Sequence, residues 1–89
     1  MQTFKYIILP ATAISGHIEL PILFPSVLQH VAVAHAFKQY GIPVAAGFSF
    51  LRHDEETDKL SAVCNGRSDS LDIVSRGRED AELVEILML

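Results

Sequence analysis

The chain has 89 residues, a formal net charge of −4, 49% hydrophobic residues, one cysteine and no tryptophan. That length holds a single domain, residues 1–89, with one modest core, and excludes a multidomain enzyme. The acidity excludes general nucleic-acid binding, the lone cysteine excludes an internal disulfide, and no apolar run approaches the roughly 18 residues of a membrane span.

The first segment, 4–9, is rich in aromatic and β-branched residues and stops at Pro10, which predicts a strand followed by a loop. Lys5, the apolar stretch 6–9 and Ala11-Thr12-Ala13 loosely imitate a secretory signal. The stretch is about half the minimum length of a usual apolar region, and Pro10 interrupts it. Without an export signal, the expected compartment is the cytoplasm, where a single free thiol is ordinary.

Ser15-Gly16 marks a turn. After it, Ile18, Leu20 and Ile22 alternate with His17, Glu19 and Pro21, and Pro21 predicts an edge strand or a bulge. A helix is predicted over 26–40, opened by a capping box in Ser26-Val27-Leu28-Gln29 and closed by Tyr40-Gly41 before Pro43. Val27, Leu28, Val31, Ala34 and Phe37 fall on its apolar side. A strand follows over 42–51, with Val44, Ala46, Phe48 and Phe50 on one face. Ala45, Gly47 and Ser49 lie opposite, small enough for another layer to approach closely.

Residues 52–59 read as a polar hairpin loop and 60–64 as the returning strand. Asn65-Gly66 predicts a type I′ turn, with a further strand over 67–74. Glu79, Asp80 and Glu82 then suit a first helical turn, and the i, i+4 pairs Leu83/Leu87 and Val84/Met88 predict a short C-terminal helix. A final strand over 83–89 is the competing reading. The fold class is therefore α+β: a four- or five-stranded, mainly antiparallel sheet, one central helix packed on one face, and the C-terminal helix capping an edge or the second face.

The charge is unevenly placed. Residues 1–68 balance five acids with five bases, and residues 69–89 carry six acids and two bases, so the whole net charge lies after residue 68. Metal binding is not expected. His30 and His35 are five residues apart, about 140° around a helix, and cannot share one ion from one face. His17 and His53 fall in a strand and a loop with no ligand spacing, and Cys64 has no partner nearby in sequence. Sequence alone does not place His17, His30, His35 and Cys64 relative to one another. Asp54, Glu55, Glu56 and Asp58 read as a solvated hairpin tip. No nucleophile elbow, phosphate-binding loop or cofactor motif is present, so the expectation is a protein without catalytic activity or cofactor.

Two stretches remain as contact surfaces. Arg67, Ser68, Ser70, Arg76 and Arg78 could grip a carboxylate or phosphate, with Arg67 at one end of a strand and Arg76 and Arg78 at the other. Leu83, Val84, Leu87 and Met88, with Ile86 and Leu89, are more apolar surface than one short helix buries on a small sheet. They predict a homo-oligomer, with a dimer favoured.

A set of short motifs runs through the chain: Ile22-Leu23-Phe24-Pro25, His30 with Val33-Ala34, Ala46-Gly47-Phe48, Cys64, Gly66 and Ser68, and Ser70-Leu71. Ser75-Arg76 followed by Glu79-Asp80-Ala81-Glu82-Leu83 completes it. Together they resemble small uncharacterised proteins encoded in bacteriophages and integrated prophages. The resemblance spans about residues 20–85 and leaves the first strand outside. Gly77-Arg78 departs from it, standing where a Pro before Glu79 would be expected. It implies a bacterial or phage origin and a protein acting by binding, and assigns no functional residue. The leading expectation is a non-enzymatic protein that binds another protein. The alternatives are a small oligomeric ligand-binding protein or enzyme with a site between subunits (using Arg67, His30 or Cys64), and a structural component of a phage particle.

Overall fold

The computed structural model describes residues 2–11 and 18–89, so the expected Ser15-Gly16 turn and His17 lie outside the described residues. The near-continuous apolar run at the start of the chain becomes the central strand β1 (Gln2–Leu9), in which Tyr6, Ile7, Ile8 and Leu9 are all buried. A strand buried on both faces has no polar alternation to show. On one side it pairs antiparallel with β2 (Leu20–Pro25), and on the other with β3 (Ala45–Asp54). β4 (Lys59–Asn65) pairs antiparallel with β3, giving a four-stranded sheet in the order β2-β1-β3-β4. Pro21 does sit on an edge strand, where a missing amide costs no ladder bond.

The sheet is covered on both faces. Helix α2 (Arg78–Met88) lies over Tyr6, Ile8, Ala45, Ala62 and Cys64 through Ala81 and Val84. Residues 83–88 are thus helix, not strand. The short helix α1 (His30–Ala36) and the 71–73 segment cover the other face, over Ile7, Leu9, Phe24 and Ala46.

Three boundaries differ from expectation. The central helix is α1 alone, about half the predicted length, followed by a 3-10 turn at Lys38–Tyr40. Ser26 does not cap it. The Leu28 amide closes a turn onto the Pro25 carbonyl, and Gln29 occupies the cap position without a side-chain bond. Remote partners take the groups that a longer helix would use: Lys5 Nζ donates to the Leu28 carbonyl, and the Val31 amide donates to Ser70 Oγ.

The hairpin strands run further than expected, to Asp54 and from Lys59, leaving only the tip between them. Asp58 there adopts a positive φ of 55°, and Asp54 Oδ1 accepts the Glu56 amide. Nor does 67–74 form one returning strand. Gly66 takes the expected positive φ (83°), but Asn65 stays in β4. The chain then forms a separate two-stranded ribbon, β5 (Arg67–Ser68) with β6 (Ile73–Val74). No type I′ turn forms, since Asn65 lacks the positive φ; a Cβ on Gly66 would lie 3.1 Å from the Phe48 ring, so the link from β4 to β5 passes in contact with it.

Candidate functional site

Two polar constellations stand on opposite faces of the sheet. The first joins α2 to the strands. Residues 75–77 pass beside β3, and the expected small row Ala45-Gly47-Ser49 permits this: a Cβ on Gly47 would lie 3.1 Å from Ser75 Cβ. Ser75 Oγ accepts the Gly77 amide at 2.9 Å and lies 2.7 Å from the Tyr6 hydroxyl, which lies 2.5 Å from Asp80 Oδ2. The phenol has one proton, and a carboxylate can only accept. Tyr6 therefore donates to Asp80, and the Ser75 hydroxyl donates to Tyr6.

Asp80 is 0% exposed. Its Oδ2 also accepts the Arg76 amide at 2.9 Å, and its Oδ1 accepts Arg76 Nε at 2.7 Å. The same guanidinium holds Glu19 through two nitrogens, at 2.8 and 3.2 Å, and Glu79 at 2.9 Å. Asp80 is the third residue of α2 and reaches back to an amide before the helix, as the acidic partner of a capping box does. The cluster pins the helix start to β1 and to the chain entering β2.

Burial, then the Asp80 carboxylate, pushes the Tyr6 phenol well above its usual value. The Glu19 contact holds the Arg76 guanidinium further above its own, with Asp80 adding to it and burial opposing. Cys64 lies on this same face, 3.5 Å from Ser49 Oγ, and burial raises its thiol. Such a thiol is a poor nucleophile at neutral pH. For Tyr6 and Cys64 the fold favours the neutral form, so the unfolded chain loses these protons first. The stability these two groups contribute is fully present below about pH 8.5 and falls as pH rises, first through the thiol and then through the phenol above about pH 10. Denaturant melts at pH 8 and pH 11 check this, with a smaller loss expected in Tyr6→Phe.

The second constellation is an open cleft of about 220 Å³ on the α1 face. Its floor comes from a row across the sheet, where Lys5 stands opposite both Phe24 and Phe48. His30, 4% exposed, stands between those rings in edge-on contacts at 5.5 and 5.8 Å. Its Nε2 lies 2.8 Å from the Gly47 carbonyl, which can only accept. Nε2 therefore carries a proton and donates it to that carbonyl. Arg67 and Ser70 complete the wall, with Gln29 and Asp69 at the mouth.

The five residues singled out for binding separate into two groups. Arg67 and Ser70 line the cleft, with Ser68 behind them accepting the Leu71 amide. Arg67 pairs with Asp69 and Asp72. Arg76 belongs to the cluster on the other face, and Arg78 pairs along α2 with Glu85 and Glu82. The interface residues also divide. Val84 is buried in the core and Leu83 packs against it, whereas Leu87 and Met88 are exposed.

His30 and Cys64 occupy opposite faces, His35 is exposed on α1, and His53 pairs with Asp58 at the hairpin tip. Among the described residues, no group of three or more His, Cys, Asp or Glu is placed to hold a metal ion, and no helix is long and apolar enough to cross a membrane. Sequence reasoning missed Lys5 and Phe48 as parts of the cleft and Tyr6 and Asp80 as a pair. The one available signal was the i, i+4 spacing of Arg76 and Asp80. Comparison of the chain with protein-family models, curated proteins and solved structures gave no significant match.

Proposed function

We propose that this chain is a small non-enzymatic protein of bacterial or phage type that acts in the cytoplasm by binding another protein, and that it does so as a homodimer. The observation that carries this reading is the apolar end of α2. Ile86 is 73% exposed, Met88 49% and Leu89 42%, and Leu60 on β4, at 53%, shares a shallow cleft with Leu89. Ile86 lies in the last turn of α2, and Leu89, three residues on, is the C-cap that follows it. Monomeric proteins rarely leave such residues contiguous and uncovered.

A second copy suits this surface because its acids are partly offset. Arg78 pairs with both Glu82 and Glu85, which lowers the repulsion between two such helix ends. Glu85 Oε2 also accepts the Ala62 amide of edge strand β4. That occupies a group which strand addition would use, and favours side-chain packing over sheet extension. The dimer leaves the α1 face open to a partner. Light scattering over a micromolar concentration series is expected to give the mass of two chains; a constant single-chain mass would count against the reading.

A second reading, a ligand site formed between subunits, draws on the cleft of about 360 Å³ among Lys59, Leu60, Glu85 and Leu89, which dimerisation would cover. A thermal-shift screen against metabolites separates the two, since a specific ligand raises the melting temperature by mass action.

A further inference from the structure

We propose that the cleft between Lys5, His30 and Arg67 is a pocket for one carboxylate side chain, aspartate or glutamate, presented by a protein partner. The proposal rests on the reading that the chain works by binding protein, and adds the chemistry of the contact. Lys5 is the first reason. Its ammonium donates to the Leu28 carbonyl at 2.9 Å, and among the described residues it has no carboxylate partner. That is a cation without a carboxylate partner lining a cleft, in a chain that is acidic overall.

Arg67 is the second. Its two carboxylate partners, Asp69 and Asp72, have side chains 94% and 88% exposed. Pairs so open to water contribute little and exchange readily. An incoming carboxylate that also reaches Lys5 gains a second cation that neither aspartate meets. Gln29 and Ser70 add neutral donors beside it, and the planar guanidinium suits two-point contact with a carboxylate.

Size and surroundings select the source of the carboxylate. At about 220 Å³ the cleft is smaller than the roughly 300–1,000 Å³ of small-molecule pockets, and it is open. One side chain fills it, with the rest of the partner outside. Leu28 and Val31, whose backbone groups bond to Lys5 and Ser70 at the cleft, are exposed, and so is Val27. They offer apolar contacts to the residues flanking the acid. Four of the six acids after residue 68 lie on α2, against the opposite face of the sheet, so their repulsion acts at a distance.

NMR titration of the full chain with acetyl-Leu-Glu-Leu-amide tests the pocket, with acetyl-Leu-Gln-Leu-amide, sodium acetate and inorganic phosphate as parallel arms. Saturable shifts are expected at the amides of Lys5, His30, Phe48 and Ser70, with the glutamine peptide and acetate each about tenfold weaker or more. Arg67→Met, which loses only exposed ion pairs, should weaken the glutamate peptide by a similar factor with a melting temperature near the parent's; Lys5→Met should weaken it likewise, and also gives up the bond to the Leu28 carbonyl. Equal binding of the two peptides, absence of shifts at millimolar peptide, or binding of acetate or phosphate as tight as the glutamate peptide would each overturn the proposal. Light scattering on the same samples reads the dimer separately: a monomer whose pocket binds the glutamate peptide counts against the dimer alone, and a dimer without binding counts against the pocket alone.

Discussion

Asp80→Ala is expected to be the most damaging single substitution on the α2 face, lowering stability by about 3–5 kcal/mol. The carboxylate has no access to water and accepts three bonds, from the Tyr6 hydroxyl, the Arg76 amide and Arg76 Nε. Its removal leaves the Tyr6 hydroxyl and the Arg76 amide short of acceptors. It also takes one of three carboxylate partners from the part-buried Arg76 guanidinium, which keeps Glu19 and Glu79. In a domain of this size each kcal/mol is worth about 4–8 °C, so the melting temperature should drop by roughly 12 °C or more. Asp80→Asn keeps the shape and one acceptor and should cost less. A cycle with Tyr6→Phe should show strong coupling, because each change removes the same hydrogen bond. Additive effects would mean that the bond contributes nothing.

Gly47→Ala is expected to be nearly as harmful, for a purely steric reason. The new Cβ would lie 2.5 Å from the Asn65 carbonyl oxygen and 3.1 Å from Ser75 Cβ. The first neighbour is backbone, so no rotamer change relieves the clash, and trimming Ser75 would not help. The end of β4 must move away from β3, and three things move with it. Ser75 shifts from the Tyr6 hydroxyl, the 75–77 turn shifts under Asp80, and the Gly47 carbonyl that fixes His30 is disturbed. Overpacking of this kind typically costs about 1–3 kcal/mol, and linked polar contacts place this case at the upper end. Thermal melts of Gly47→Ala beside Ala46→Gly, a change on the other face, separate the clash from general sensitivity of the strand.

Much of the architecture was legible because it is written in local patterns. The i, i+4 ridges of α2, the proline on the β2 edge, the small row at 45, 47 and 49 and the positive φ at Gly66 all depend on near neighbours, and all appear where the periodicity places them. The central helix did not, because its start is decided by Lys5 and Ser70, which are 23 and 39 residues from the groups they hold. Asn65-Gly66 predicts a type I′ turn, but only Gly66 takes the positive φ it needs; Asn65 stays in β4, the chain reverses at 69–72, and nothing local tells residues 67–68 to pair with 73–74 instead of β4. The polar sites were least visible. Tyr6 and Asp80 are 74 residues apart. In sequence Tyr6 belongs to the apolar stretch 6–9 and Asp80 to an acidic first helical turn, and only the fold turns them into a pair. Arg67 and Ser70 line one cleft, but their neighbour Lys5 comes from the opposite end of the chain.

Sedimentation equilibrium of the wild-type chain beside Ile86→Glu/Leu89→Glu puts assembly through the α2 end to the sharpest test. Both positions are exposed, so the double variant should keep the parent's circular dichroism and a similar melting temperature at low concentration. The wild-type chain should sediment as two chains at micromolar concentration, and the variant as one. A wild-type chain that remains a single chain at high micromolar concentration, or a double variant that still sediments as a dimer, would contradict assembly through this surface.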